Sequence, residues 1–240
     1  MKQKGNIETA LPLYSRPESD EPVADLAAAA GMEIDEYMDE MPRRRLAELA
    51  LGGSRFGGLP DLPARMSLPS WEGKKLPFLA QIDLARLPRS PLPAEGWLYV
   101  FCLFGEDATK MEVLYHRGSS ADLVRVEPPG EDEVWEDWTY SSVYEVVPLV
   151  ADLPPDESSA EWEEVGWFFG EIDEAGERAE DIAADAELPG DDWMTLLVIG
   201  SVGSMEWGDG SPSKAQFAIR RSDLAKADFT HVHGACCCSG

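Results

Sequence analysis

The feature that most constrains the fold is a pair of apolar segments in the first half of the chain. Residues 97–104, with the sequence WLYVFCLF, are apolar on both faces. This pattern predicts a central strand, because such a strand is covered on both sides of its sheet. In residues 76–84 the apolar positions alternate with positions that hold Gln81 and Asp83. A period of two is typical of a half-buried strand, so both segments are predicted to be strands.

The N-terminal segment predicts helices, so the expected fold class is α+β with mainly antiparallel sheets. A helix is predicted to begin near residue 20 and to end at Gly31. A second helix is predicted over about residues 34–51, with a kink or break at Pro42. Further strands are predicted at residues 112–115, 123–126, 143–149, 194–199 and 214–220, with short helices at 176–187 and at 222–227, the last capped by Ser222.

A weak internal repeat divides the chain into two related halves. Residues 76–104 contain a strand, a polar link and a second strand, and residues 193–220 follow the same order with a Gly-rich link. Within these segments, residues 79–83 (LAQID) align with residues 196–200 (LLVIG). The repeat predicts two similar halves packed about a twofold axis. Chance similarity between two strands is the alternative.

The charge of the chain limits its partners. The formal net charge is −26, from 46 Asp and Glu against 20 Lys and Arg. Such a field repels phosphates and anionic lipid headgroups, so neither nucleic acid nor a membrane is an expected partner. A basic protein partner fits the field, because opposite charges speed encounter. The alternative is that the acidic surface serves only solubility.

Cysteine use and hydropathy favour a cytoplasmic location. Cys102 lies in the apolar segment and is predicted to be a small core residue, whereas the other three cysteines are adjacent at residues 236–238. This is not the spacing of a disulfide scaffold. No apolar segment reaches the roughly 18 residues that cross a bilayer, and no apolar segment of a signal peptide follows the basic start.

Four segments carry a recognisable pattern in a fixed order: residues 54–63 (SRFGGLPDLP) followed by Trp71, residues 77–84 (PFLAQIDL), residues 92–98 (LPAEGWL), and residues 205–210 (MEWGDG) followed by Asp223-Leu224. In their order and spacing these segments resemble the bacterial YwqG-like family. The resemblance implies a domain over residues 54–230, with an arm and helices at 1–53 before it and a tail at 231–240 after it. The family has no established activity. Some of its members lie beside toxin–immunity genes, which implies an immunity-like role as one reading.

Polar residues within these segments form a candidate binding site. The candidates are Arg55, Gln81, Asp83, Trp207 and Asp209. Arg55 is expected to pair with Asp83 or Asp209. One interpretation is a buried ion pair that supports a rigid turn, and the other is a polar pocket that faces a ligand.

The second half departs from the family pattern. The family carries Gln and Asp in its second-half strand, where this chain has Val198 and Gly200. The family also has a His where this chain has Gly166. A site that used those polar groups is therefore not expected here.

The C-terminal tail is a candidate metal site. Imidazole and thiolate groups suit Zn²⁺ or Cu(I), and the tail offers several of them: His231, His233, Cys236, Cys237 and Cys238. Three adjacent cysteines cannot easily reach one ion, since structural zinc sites space their cysteines by two or more residues. The alternative is a tail that holds no metal.

Catalytic patterns are absent from the sequence. It has no GxSxG, P-loop, dinucleotide-binding glycine or HExxH pattern, so no catalytic residue is assigned. His116, which follows a strand and precedes Gly118, is predicted to lie in a surface turn. The leading hypothesis is a binding protein that neutralises a basic partner. The alternatives are a metal-binding protein that uses the tail and an unrecognised hydrolase that uses carboxylates.

Overall fold

Fourteen strands and three α-helices form the regular structure of the residues described here. The computed structural model describes residues 11–15, 23–34, 36–37, 47, 49–88, 90–103, 110–135, 146–148, 163–169, 179–200 and 213–238. The strands are β1 (Leu11–Ser15), β2 (Arg55–Gly57), β3 (Asp61–Pro63), β4 (Ser70–Trp71), β5 (Lys74–Lys75), β6 (Phe78–Asp83), β7 (Trp97–Leu103), β8 (Lys110–His116), β9 (Leu123–Arg125), β10 (Val146–Pro148), β11 (Glu163–Phe168), β12 (Trp193–Gly200), β13 (Ser213–Arg220) and β14 (His233–Cys238). The helices are α1 (Val23–Ala30), α2 (Ala179–Asp185) and α3 (Arg221–Leu224). The predicted α+β class is confirmed.

The two apolar segments are neighbouring strands of the first sheet, whose strand order is β10-β2-β6-β7-β8. All of its pairings are antiparallel. Every residue of β7 is buried, which explains why its sequence is apolar on both faces. The predicted central strand is therefore confirmed.

The second sheet has the strand order β1-β11-β12-β13-β14 and is also antiparallel. Its inner face packs against that of the first sheet, and one apolar core joins residues of both, among them Leu98, Val100, Phe217 and Ile219. Helix α2 covers the outer face of the second sheet, where Ile182 is buried. The outer face of the first sheet holds a separate apolar cluster that includes Leu62 of β3 and Leu123 of β9. The fold is thus two sheets that share a core, with small elements on both outer faces.

Each sheet takes an edge strand from the other half of the chain. Strand β1, the first strand of the N-terminal half, pairs with β11, and β10, the first strand of the C-terminal half, pairs with β2. The register agrees as well, since Pro12 of β1 lies opposite Trp167 and Pro148 of β10 lies opposite Arg55. Proline is tolerated at these positions because edge strands need not donate every hydrogen bond. The two halves have exchanged equivalent strands.

The irregularities of the two sheets support the predicted repeat. The β6–β7 pairing shifts between Phe78 and Ala80, and the β12–β13 pairing shifts between Thr195 and Leu197. The residues at the two shifts are Leu79 and Leu196, which the sequence repeat also aligns. The sequence similarity therefore reflects two halves with the same strand order.

The helical predictions are confirmed in part. Helix α1 ends at Gly31, whose φ of 70° favours glycine. Helix α3 begins after Arg220, which makes no side-chain cap, so the prediction of Ser222 as the cap is wrong. Most of the helix predicted over residues 34–51 lies outside the described residues. No helix in the described ranges is long and apolar enough to cross a membrane.

Candidate functional site

A buried ion pair joins two residues of the segment 54–63. Arg55 on β2 and Asp61 on β3 are both fully buried, and Arg55 Nη1 donates to Asp61 Oδ2 at 2.9 Å. Arg55 also donates to the main-chain oxygens of Gly53 and Leu59. The predicted buried ion pair is present, but its acidic partner is Asp61. Leu-Pro dipeptides flank Asp61 on both sides and indicate a rigid turn. No local pattern in the sequence marks Asp61 as the partner of Arg55.

Three further side chains complete the shell of Asp61. Gln81 of β6 accepts from the Asp61 amide at 2.8 Å and donates to Asp61 Oδ2 at 3.2 Å. Arg125 of β9 donates from Nε to Asp61 Oδ1 at 2.9 Å, and the Tyr99 hydroxyl donates to the Asp61 carbonyl at 2.7 Å. The Gly52 amide is another donor, to Asp61 Oδ2 at 2.8 Å. Side chains of three strands, β2, β6 and β9, thus converge on one carboxylate, and a fourth strand, β7, binds the main-chain carbonyl of the same residue. The result is a buried polar network with its acceptors satisfied.

The network shifts the protonation of its members. Burial alone would raise the pKa of Asp61, but the hydrogen bonds and charges of Arg125 and Arg55 hold that pKa below its usual value. Burial lowers the pKa of Arg55 and raises that of Tyr99. Two guanidinium groups face one carboxylate, so Asp61 stays ionised.

Local backbone geometry places these side chains. Gly57 and Gly58 adopt φ values of 64° and 69°, a region that side chains with a Cβ rarely occupy. This turn leads the chain from β2 into β3, so that Arg55 and Asp61 meet after a separation of six residues. In the second half, the position that corresponds to Gly57 is Phe169, which also has a positive φ, of 54°. The segment 54–63 is therefore a turn held by a buried ion pair, called the charge-clamped turn below.

The other predicted binding residues are not part of this network. The Asp83 side chain accepts from the Ala85 amide at 3.1 Å and pairs with exposed Arg86, so its expected pairing with Arg55 is wrong. Asp83 instead caps the 3-10 helix Leu84–Arg86. Trp207 and Asp209 lie outside the described residues. Of the five candidates, the structure brings together Arg55 and Gln81.

The centre of the network is closed to solvent. Arg55, Asp61 and Gln81 are each fully buried. A general acid needs a raised pKa near the working pH, whereas the pKa of Asp61 is lowered. The Arg55 Nε atom makes no hydrogen bond to the described residues. The contacts of the network join β2, β3, β6 and β9.

The histidine expected in a surface turn lies inside the protein. His116, at the end of β8, is 3% exposed and stacks on Trp97 with ring centroids 6.0 Å apart. Burial lowers its pKa, and its Nε2 has no hydrogen-bond partner in the described part of the chain. The prediction of a surface residue is wrong because the ring packs beneath Gly118, where a Cβ would lie 2.4 Å from Nε2.

The candidate metal ligands lie on or beside an edge strand. Residues 233–238 form β14, which pairs along β13 from His233 to Cys238. Successive positions of a strand alternate between faces, so the cysteine positions 236–238 are divided between the two faces of the sheet. His231 is exposed, and the His233 ring meets Trp193 edge-on at 5.7 Å. Among the described residues, no three or more His, Cys, Asp or Glu side chains lie close enough together to hold a metal ion. Metal binding by the tail stays a prediction.

Comparison with known proteins places the chain in a family. No curated protein matches its sequence. Residues 54–238 match a family described as "Domain of unknown function (DUF1963)". This match includes the charge-clamped turn and every strand of the two five-stranded sheets except β1. It covers more than half of the chain, and the protein therefore belongs to this family of domains of unknown function.

Proposed function

We propose that this protein is a binding protein without catalytic activity that recognises a basic protein partner through its acidic surface. The observation that carries the proposal is the charge distribution. Residues 127–192 hold 23 Asp and Glu and a single basic residue, Arg178. Fields of opposite sign speed the encounter of two proteins and suppress wrong partners.

The described part of this acidic segment presents its charge to solvent. Glu180 on α2, Glu187 after it and Asp191 before β12 are exposed. A partner with a basic surface would meet these carboxylates without having to desolvate the apolar core. Rim charges of this kind act mainly on the rate of association.

The buried network supports the same proposal from another side. The polar residues of the family motif are engaged with one another and are closed to solvent. Their arrangement favours a structural role and leaves the exposed acidic residues of the segment 127–192 as the proposed recognition surface. An immunity-like protein that neutralises a basic toxin, such as a nuclease, would need this kind of surface.

Capture from a lysate of the native host tests the proposal. Tagged protein is exposed to lysate at low and at high salt, with polylysine as a competitor that measures non-specific attraction. We expect one basic protein to be retained in stoichiometric amount at low salt, to resist polylysine and to be released at high salt. Retention of no basic protein at low salt would count against the proposal.

A pair of triple variants locates the surface. Glu180→Gln, Glu187→Gln and Asp191→Asn together remove three exposed charges from the acidic segment. The matched control, Asp25→Asn, Glu33→Gln and Glu36→Gln, removes three exposed charges from the N-terminal region. We expect the first variant to bind the captured partner at least tenfold more slowly and the control to change the association rate less than twofold. Equal effects of the two triple variants on the association rate would mean that the partner does not prefer the acidic segment to the N-terminal region.

A further inference from the structure

A groove runs along the edge where the two sheets meet. Its volume is about 450 Å³, and one wall is formed by five consecutive residues of β8, Lys110 to Leu114. Ile182 and Ala186 form a second wall, and the segment from Phe229 to Gly234 forms the third. Consecutive residues of a strand point to opposite faces of the sheet. An opening lined by five in a row must therefore lie along the side of the strand, where its backbone groups are.

Strand β8 is at the edge of the first sheet among the described residues, since its sheet neighbour there is β7. An edge strand presents a row of N–H and C=O groups that can pair with another strand. Strand β14 approaches this edge near its start, where Gly234 lies against the Met111 side chain. Gly234 and Met111 both line the groove.

The groove combines this edge with apolar side chains. Met111, Phe229 and Val232 are at most 8% exposed and lie in its lining as part of the shared core. Lys110 and Glu112 in the lining carry opposite charges, so the groove itself selects no sign of charge. Main-chain hydrogen bonds and apolar pockets for alternate side chains are the two elements of recognition by strand addition.

We propose that this groove binds an extended segment of the basic partner as an added strand on β8. The inference rests on the proposed function for the charge of the partner, because helix α2, which forms one wall, carries exposed Glu180 and is followed by exposed Glu187. The long-range field brings the basic partner to the groove, and pairing along β8 holds it. The occupant is therefore a peptide segment with apolar residues at alternate positions and Lys or Arg between them.

Defined peptides test this inference. The probe is an acetylated and amidated hexapeptide of three Lys-Val repeats. Two controls are the Glu-Val hexapeptide and a Lys-Val hexapeptide that carries an N-methyl group on the amide of every residue. The N-methylated peptide keeps its charge but has no residue N–H left to donate on either edge, so it cannot pair as a strand. We expect the Lys-Val probe to bind and to protect alternate backbone amides of residues 110–114 from hydrogen exchange, and N-methylation to weaken binding at least tenfold.

Two alanines of the same helical segment provide matched variants. Ala186 is exposed and lines the groove, whereas Ala184 is exposed but does not line it. Ala186→Trp is expected to fill the groove and to weaken probe binding at least tenfold. Ala184→Trp is expected to change it less than twofold. Both variants leave the core untouched, so unfolding temperatures within a few degrees of each other are the check on folding.

The outcomes separate this inference from the proposed function. Failure of the Lys-Val probe to bind at concentrations up to millimolar would contradict strand addition in the groove. Binding that neither protects β8 from hydrogen exchange nor weakens in Ala186→Trp would contradict it as well. Neither result touches the capture of a basic protein by the acidic surface. Equal binding of the Glu-Val and Lys-Val peptides, together with failed capture, would instead contradict the charge preference on which both proposals rest.

Discussion

The first half of the protein is held by one carboxylate, Asp61, whose oxygens accept four hydrogen bonds from Gly52, Arg55, Gln81 and Arg125. A buried charge is costly unless it is paired and fully hydrogen-bonded. Removing the acid leaves the Arg55 guanidinium buried without its counter-charge. The loss of stability on removing Asp61 is therefore expected to come mainly from the Arg55 charge that stays buried without a partner.

Replacing Asp61 by Asn is expected to lower the free energy of unfolding by about 3–5 kcal/mol, the usual cost of breaking a buried pair. The matched control is Asp83→Asn, because Asp83 only caps a 3-10 helix and pairs with exposed Arg86. That control is expected to cost about 1 kcal/mol or less. Urea unfolding measures both, and equal losses would show that Asp61 is not the centre of the network.

Acid is expected to remove the contribution of Asp61. The pKa of this carboxyl group is lower in the folded protein than its ordinary value, because Arg125 and Arg55 stabilise the ionised form. Its stabilisation is then complete above the unfolded pKa of about 4 and is lost as the pH falls through the folded pKa. Urea unfolding from pH 7 to pH 3 should show the difference between wild type and Asp61→Asn shrinking below about pH 4. A difference that widens on acidification would contradict the assignment.

At the scale of the element, strand β14 is fitted closely to its neighbours. A Cβ on Gly234 would lie 1.8 Å from Met111 Sδ and 2.6 Å from the Gln216 carbonyl oxygen. Gly234→Ala is expected to cost about 1–3 kcal/mol through overpacking. Met111→Ala is itself destabilising, because Met111 is buried in the shared core. In that background Gly234→Ala should cost less than in the wild type but more than zero, because the carbonyl oxygen remains in place. Thermal unfolding of both single variants and the double variant measures the difference, and a substitution that costs nothing in the Met111→Ala background would mean that the backbone contact is harmless.

Strand β1 is expected to protect β11. It pairs with β11 over residues 11–15, so deletion of residues 1–15 should expose that edge. We expect hydrogen exchange at residues 163–168 to become at least tenfold faster, with little change in β2, whose exchanged partner β10 is still present. Deletion of residues 1–10 alone is the control, because it leaves β1 intact. Unchanged protection of β11 after the longer deletion would argue against the exchange of strands.

The sequence predicts the strands whose apolar pattern is local. Strands β6, β7, β12 and β13 are found close to their predicted positions, because their period and burial agree. Strand β14 has no alternating apolar pattern in HGACCC, and its conformation comes from pairing with β13. The exchange of β1 and β10 depends on pairing across at least 89 residues, from Val146 to Gly57, which no local pattern predicts.

The candidate site is predictable in kind but not in its partners. The segment 54–63 signals a rigid turn with a buried arginine, and Arg55 and Gln81 do lie in one network. Asp61 was missed because its flanking prolines suggest a turn residue, and its role appears only when β3, β6 and β9 come together. Asp83 was wrongly paired with Arg55, because residue 83 turns away to cap the next helix.

At the scale of the whole molecule, the two halves share one core and exchange strands, while an excess of 26 negative charges lies over them. Such a field destabilises the compact state through self-repulsion. An acidic surface that is costly to the fold is consistent with the proposed role in recognition. We therefore propose that the surface recognises the partner, whereas the charge-clamped turn stabilises the fold.

The affinity for the captured partner as a function of salt tests this account most directly. Titration calorimetry at 0.05, 0.15 and 0.3 M NaCl measures the dissociation constant under conditions in which the Debye length falls from about 14 Å to about 6 Å. The account predicts that binding weakens at least tenfold across this range, and that the triple variant Glu180→Gln, Glu187→Gln and Asp191→Asn shows a smaller dependence. An affinity that is unchanged or stronger at 0.3 M would contradict recognition by charge.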